Sequence, residues 1–175
     1  MNKFLKFVLG LSIVGVAAVV LVPVIFLLLY LFVFKPVKIV GLSMAPSYKN
    51  GQYYMVNKLG RNNISRGDVI IFRVPPEGKS DYIQRVVGLP GEKVKIEKGK
   101  VYINGQVLNE SYLDSGITTN SGTYLEEGKE VTIPENKYVT FGDNRDHSLD
   151  SRIFGFLPRE NVVGKVWFCY FACSL

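Results

Sequence analysis

Hydrophobic positions along the chain follow two regimes. Residues 7–34 contain no charged side chain and are apolar almost throughout, whereas from residue 37 onward apolar residues come in short groups broken by polar ones. A bilayer core needs about 20 apolar residues in helical form, so the first run is long enough to span with tilt, and Pro23 is its one candidate kink point. A cleavable secretory leader has an apolar region of only about 7–15 residues followed by a small-residue cleavage site. This run is longer and ends in Phe32-Val33-Phe34-Lys35-Pro36, so residues 1–36 read as one uncleaved transmembrane helix.

The short groups that follow read as β-strands. Residues 37–40, 53–56, 68–74 and 82–87 are rich in Val, Ile, Tyr and Phe and are separated by Gly, Asn and Pro. Residues 94–97 and 101–103 flank a tight turn, and Asn104-Gly105 then supports a second hairpin into 106–108, because that dipeptide tolerates the positive φ of a type I′ turn. Residues 109–128 are polar and read as a surface excursion with little core of its own. Residues 131–133, 137–141 and 162–168 supply later strands, while the closing Trp167-Phe168-Cys169-Tyr170-Phe171 is either a last strand, the preferred reading, or an interfacial aromatic patch. Nothing after the anchor has helical periodicity. The pattern predicts a mainly β domain over residues 37–175, with a hairpin and loop excursion at about 92–137.

Composition narrows the function classes. A chain of 175 residues suits one domain plus an anchor. Its net charge of +6 is mild once Lys3 and Lys6 are set aside, and it favours anionic lipid headgroups over nucleic acid, for which no basic stripe or motif exists. Lys3 and Lys6 before the run face Lys35 and Lys38 after it, so charge does not orient the helix. Cys169 and Cys173, four apart, lack CxxC spacing and are not closable along one extended strand, so they read as a free pair. One histidine and two distal cysteines cannot build a metal site, and no cofactor motif is present.

The candidate chemistry begins just past the apolar run, at Gly41-Leu42-Ser43-Met44-Ala45-Pro46. A serine followed by Met-x-Pro a few residues beyond a membrane exit resembles the nucleophile motif of type I signal peptidases, the membrane-anchored Ser/Lys endopeptidases. Three further stretches extend the resemblance in the same order: Arg66-Gly67-Asp68-Val69-Ile70-Ile71-Phe72, then Tyr82-Ile83-Gln84-Arg85-Val86-Val87-Gly88-Leu89-Pro90-Gly91-Glu92, and the Gly-Asp-Asn-Arg-x-x-Ser-x-Asp-Ser-Arg box from Gly142 to Arg152. The resemblance implies a signal-peptidase-like β-sheet catalytic domain with Ser43 as nucleophile and its backbone N–H as oxyanion donor. It implies that Ser148 bonds the base and that Asp150 and Arg152 hold the site together, while Asp143, Asn144 and Arg145 read from their own chemistry as a tight turn pinned by an Asp–Arg pair, which shapes the site without reacting. Some relatives add a hydroxyl donor two residues before the nucleophile, where this chain has Gly41.

The chain departs from the pattern at residue 84, a glutamine where the family places its lysine base. A serine hydroxyl is a poor nucleophile until a neighbour takes its proton, and a lysine does so when burial lowers its pKa. An amide can hold a hydrogen bond to Ser43 but cannot take that proton. His147, the only histidine, is the one alternative base inside the box. Lys79 and Lys93 flank the segment without matching the position, and Arg85 stays charged.

The expected partners are signal-peptide-bearing preproteins, cut at small-x-small sites, together with the lipid bilayer near the secretion translocon. An extended substrate would add as a strand beside Tyr82 and Ile83, in a groove that also takes in Met44 and Pro46. The family's topology places the N-terminus in the cytoplasm and the catalytic domain outside a plasma membrane. The alternative is a membrane-anchored binder of exported peptides that keeps the groove without the base.

Overall fold

The computed structural model describes residues 3–73 and 80–173. Val74, the expected end of one strand, and Lys79 lie outside the described residues. The chain divides into two compact units, the first ending at Lys35 and the second beginning at Pro36. The first is helix α1 (Lys3–Val33), with Pro23 inside it. Its Gly15–Val33 stretch is long and apolar enough to cross a membrane, and a helix that is apolar all round belongs in a core or in lipid.

The second unit is mainly β, as the alternating pattern predicts. Strands β1 (Phe34–Lys38), β2 (Tyr53–Asn57), β3 (Val69–Phe72), β4 (Tyr82–Gly88), β9 (Lys137–Phe141), β10 (Leu157–Pro158) and β11 (Val162–Phe171) form a seven-stranded sheet in the order β1-β2-β11-β3-β4-β9-β10. Strands β5 (Lys93–Glu97), β6 (Lys100–Ile103), β7 (Gln106–Val107) and β8 (Val131–Thr132) form a second sheet in the order β7-β6-β5-β8. Both expected turns form through left-handed backbone, at Lys98-Gly99 and at Asn104-Gly105.

Strand β3 shows how the large sheet is packed. Successive strand residues face opposite sides. Val69 and Ile71 accordingly join Ile39, Met44, Val56 and Ile83 on one face, while Ile70 and Phe72 join Val86, Tyr138, Leu157 and Val162 on the other. A third cluster packs Val94, Ile96, Val101 and Ile103 of the small sheet against Val87, Val139 and Phe141 of the large one. That contact carries the hairpin insertion next to the loop leaving β9.

Three expectations change. The sequence lacks helical periodicity after the anchor, yet a single turn, α2 (Ser151–Phe154), closes the box because the Asp150 side chain accepts from Arg152 N–H as its N-cap. The excursion after residue 108 is not without core, since Leu125 is buried in the third cluster and Thr119 is buried among polar partners. Cys169 and Cys173 are not free. They form a disulfide with Cα atoms 5.9 Å apart, because β11 stops at Phe171 and the left-handed Ala172 turns the chain back. The last aromatic segment is strand, as preferred, but beyond Val166 its rings leave the core, with Trp167 and Phe171 each 63% exposed.

Gly164 sits where β11 crosses β2, and a Cβ there would stand 2.6 Å from the Asn57 carbonyl oxygen and 2.8 Å from Val56 Cγ1. Gly164→Ala is therefore expected to destabilise the domain by about 1–3 kcal/mol, read from chemical denaturation in detergent, whereas an unchanged midpoint would mean the two strands can separate there freely.

Candidate active site

Strand register decides which side chains meet. Gln84 and Arg85 on β4 lie opposite Ile70 and Val69 of β3. On the other side, the ladder with β9 pairs Arg85 with Phe141 and Val86 with Thr140. Residues 82–84 therefore run beyond that ladder, where β9 leaves the sheet at Gly142, and their β9-side edge is unpaired among the described residues. The chain then turns through residues 142–150 and returns as α2.

That turn is tied to the serine loop by backbone contacts. Asn144 N–H donates to Ser43 O at 3.0 Å, Asn144 Nδ2 donates to Leu42 O at 3.0 Å, and Asp143 N–H points at Met44 Sδ at 3.4 Å. Gly142 has no room for a side chain, since a Cβ would overlap Ser43 O, Ser148 Oγ and Ser148 Cβ. The glycine lets the serine loop and Ser148 approach each other this closely.

Gln84 is 2% exposed, and its amide is engaged at both ends. Nε2 donates to Leu149 O at 2.7 Å, and Oε1 accepts from Thr140 Oγ1 at 2.7 Å. Thr140 N–H in turn donates to Ser151 Oγ at 3.0 Å. Among the described residues the amide reaches neither Ser43 nor Ser148, and Ser148 Oγ is buried with no partner at all. The expected contact between Ser148 and the residue at position 84 is thus missing, because both ends of the amide are taken by Leu149 and Thr140.

Charge is balanced pair by pair. Asp150 is 0% exposed. It accepts from Arg152 Nε and Nη2, both at 2.8 Å, and from Gly142 N–H at 3.2 Å. Asp143 pairs with Arg85 rather than with Arg145, through Nε at 2.8 Å and Nη2 at 2.6 Å. Arg145 instead meets Glu110, its Nη2 at 2.5 Å from Oε1. An Asp–Arg pair does hold the turn at Asp143, but its arginine is Arg85 rather than Arg145, because the β4–β9 register already brings Arg85 beside Asp143. Burial pushes the Arg85 pKa down, but the Asp143 carboxylate outweighs it and the net shift is upward. Arg145 behaves likewise, with Glu110 overcoming its desolvation.

The remaining candidates are spread around this centre. Ser43 is half-buried, Gly41 is exposed with a left-handed φ, and His147 is exposed on the short turn Arg145–His147, with no bond to Ser148. Lys93 is on the other sheet, paired with Glu130. Of the four groove residues, Met44 and Ile83 are buried in the core, Tyr82 stacks on Phe72, and Pro46 is exposed. Sequence reasoning overlooked Thr140, Ser151 and the Leu149 carbonyl around position 84, and Glu110, Tyr112 and Thr119 around Arg145. No sequence signal marked the second group, because Asp143 is seen to be taken by Arg85 only once β4 is laid against β9.

Two measurements probe these pairs. Asp143→Asn leaves the Arg85 guanidinium without its carboxylate in a largely buried site, and breaking such a pair is expected to remove about 3–5 kcal/mol of stability in a denaturation curve; a loss near zero would mean that solvent replaces the pair. Burial first and the Glu110 carboxylate second raise the Tyr112 phenol above its usual range. The folded chain thus keeps the proton where the unfolded chain ionises. Stability from this source is complete below about pH 10 and falls as pH rises further, with Tyr48 and Tyr54 shifted in the same direction. Tyr112→Phe should flatten the alkaline limb of a Tm–pH profile, and an unaltered slope would assign that limb to other groups.

Comparison with known proteins gives the family of the chain. A family model described as signal peptidase, peptidase S26, matches residues 12–171. Signal peptidase IB of Staphylococcus aureus is 33% identical over 172 residues, covering 89% of each chain. Signal peptidase I of Bacillus caldolyticus is 37% identical over 151 residues, covering 81% of this chain and 82% of that one. A crystal structure of a signal peptidase I from Enterococcus faecalis V583 aligns at a TM-score of 0.49 and 31% identity, covering 59% of this chain and 96% of that chain. With a serine beyond an apolar helix, a β domain and the Gly142–Arg152 box all in place, the chain belongs to the signal peptidase S26 family of serine endopeptidases, which remove signal peptides from exported proteins.

Proposed function

We propose that this chain receives signal-peptide-bearing preproteins as an extended small-x-small segment along the unpaired edge at residues 82–84, with Ser43 as nucleophile and with hydrolysis held back by Gln84. The placement of Gln84 carries the reading: it is buried on β4 with its amide bonded to Thr140 and Leu149, and an amide cannot take the proton of Ser43. The role of Ser43 is supported by Asn144, whose Nδ2 holds the Leu42 carbonyl and so fixes the peptide plane that carries the Ser43 N–H, the expected oxyanion donor. Ser148, Asp150, Arg152, Asp143, Asn144 and Arg145 hold that geometry without reacting. The α1 helix keeps the site at the membrane face where cleavage sites emerge, with the N-terminus in the cytoplasm and the β domain on the outer side of the plasma membrane, close to the translocon.

One observation favours a second reading, a membrane-anchored binder of exported peptides that does not cut. Gln84 is not an idle substitution in an otherwise intact dyad, because both ends of its amide are bonded away from the serine while Ser148 Oγ is left without a partner. Loss of a general base removes about 10²–10⁴ in rate.

Cleavage of an A-x-A peptide in detergent, by the chain and by Gln84→Lys side by side, separates the readings. The lysine form is expected to cut at least about 100-fold faster, and Ser43→Ala in that background to abolish the gain. A chain that cuts as fast as its lysine form would point to another base, with His147→Ala as the deciding variant, and a gain that survives Ser43→Ala would remove Ser43 as nucleophile.

A further inference from the structure

The polar stretch after residue 108 suggests a solvated excursion, but the structure docks it on three arginines. The Glu110 carboxylate takes both terminal nitrogens of Arg145, Nη2 at 2.5 Å and Nη1 at 3.2 Å, and Thr119 Oγ1 also accepts from Nη1. The Tyr112 hydroxyl donates to Glu110 Oε1 at 2.5 Å, while its ring lies 4.2 Å from the Arg85 guanidinium carbon. Farther on, Arg152 Nη1 donates to Asn120 O at 3.3 Å, and Tyr124 N–H donates to Arg152 O at 2.9 Å. Residues 109–125 thus form a strap across the back of the 142–152 turn.

The far side of the same guanidinium faces the site. Arg145 Nε donates to Gly142 O at 3.1 Å, Gly142 packs directly against Ser43 O, and Asn144, next to Arg145 in the chain, holds Ser43 O through its N–H. A guanidinium is a rigid plane whose five donors keep fixed relative directions. Turning or shifting the carboxylate at one end therefore redirects Nε at the other, and with it the Gly142 carbonyl. The second route runs from the Tyr112 ring to Arg85 and on to Asp143, whose N–H faces Met44 Sδ beside the serine.

We propose that Glu110 and Tyr112 are positioning residues for the nucleophile, the strap at residues 109–125 setting the Ser43 peptide plane through Arg145 and Arg85. Cleavage then depends on a segment that makes no hydrogen bond to Ser43 or to Gln84. A strap needed only to satisfy a buried arginine would affect stability alone. One needed to aim the serine affects turnover at constant substrate binding, because misplacement by about 1 Å costs about 100-fold in rate.

This rests on Ser43 being the nucleophile, so the test has one arm that needs no activity. In that arm the full chain and Glu110→Gln are compared by hydrogen exchange in detergent. Faster exchange at residues 41–46, at least about 10-fold, is the expected result, and a change confined to 109–125 and 142–145 overturns the proposal. In the second arm Glu110→Gln and Tyr112→Leu are made in the Gln84→Lys background, where kcat is expected to fall about 10- to 100-fold with KM within about twofold. Unchanged kcat, or a rise in KM alone, overturns it. If Gln84→Lys itself does not cut, the Ser43 reading has failed and the exchange arm decides the strap alone. Should Glu110→Gln not fold, Tyr112→Leu carries both arms, since it clears the ring from Arg85 and leaves the Glu110–Arg145 pair in place.

Discussion

The site depends on a carboxylate that has no access to water. Asp150 can remain charged at 0% exposure only if its lone pairs are filled, since an unpaired buried charge costs several kcal/mol. Arg152 fills two of them as a planar fork, and Gly142 N–H and Arg152 N–H take the rest. Those four bonds draw the end of β9, the start of α2 and the turn between them into one place. Except for Gln52, the buried polar side chains among the described residues belong to this cluster or its strap. Polar burial here is concentrated where the serine loop is held, while the rest of the domain is stabilised by apolar contact between sheets.

A buried arginine cluster also explains why the insertion is more than decoration. Arg85, Arg145 and Arg152 bring three guanidiniums against two carboxylates, Asp143 and Asp150, and the guanidiniums of Arg145 and Arg152 lie 5.3 and 5.5 Å from the centre of the Phe141 ring. The third negative charge has to be imported, and it arrives as Glu110 on a segment 35 residues upstream of its partner. The small sheet carries that segment, and its packing on Val87, Val139 and Phe141 places it beside the turn. The insertion thus supplies both apolar contact and the third carboxylate to the arginine cluster.

The alternation of Val, Ile and Phe with polar residues made β3, β4 and β9 legible, and Asn104-Gly105 marked its hairpin, because these are local consequences of side-chain period and backbone sterics. The serine and its box were legible through resemblance, which fixes positions but not partners. Partners depend on register. Nothing within a few residues of Asp143 indicates that it will meet Arg85, 58 positions earlier, until β4 is laid against β9. The disulfide was hidden for a smaller reason: one left-handed residue, Ala172, undoes the extended spacing on which a free pair was inferred.

Position 84 combines both problems. Its identity is readable, yet its consequence lies in its surroundings, where it is buried with one carbonyl and one hydroxyl as partners. A glutamine sits there at no electrostatic cost, because it is neutral and both ends of its amide are bonded. A lysine in the same pocket would be desolvated, with its pKa pushed down by burial, and the flanking Arg85 and Arg152 are already paired and would not relieve that pressure. The environment that accepts the amide is therefore one that would press an amine toward its neutral form, which is the condition a lysine base requires.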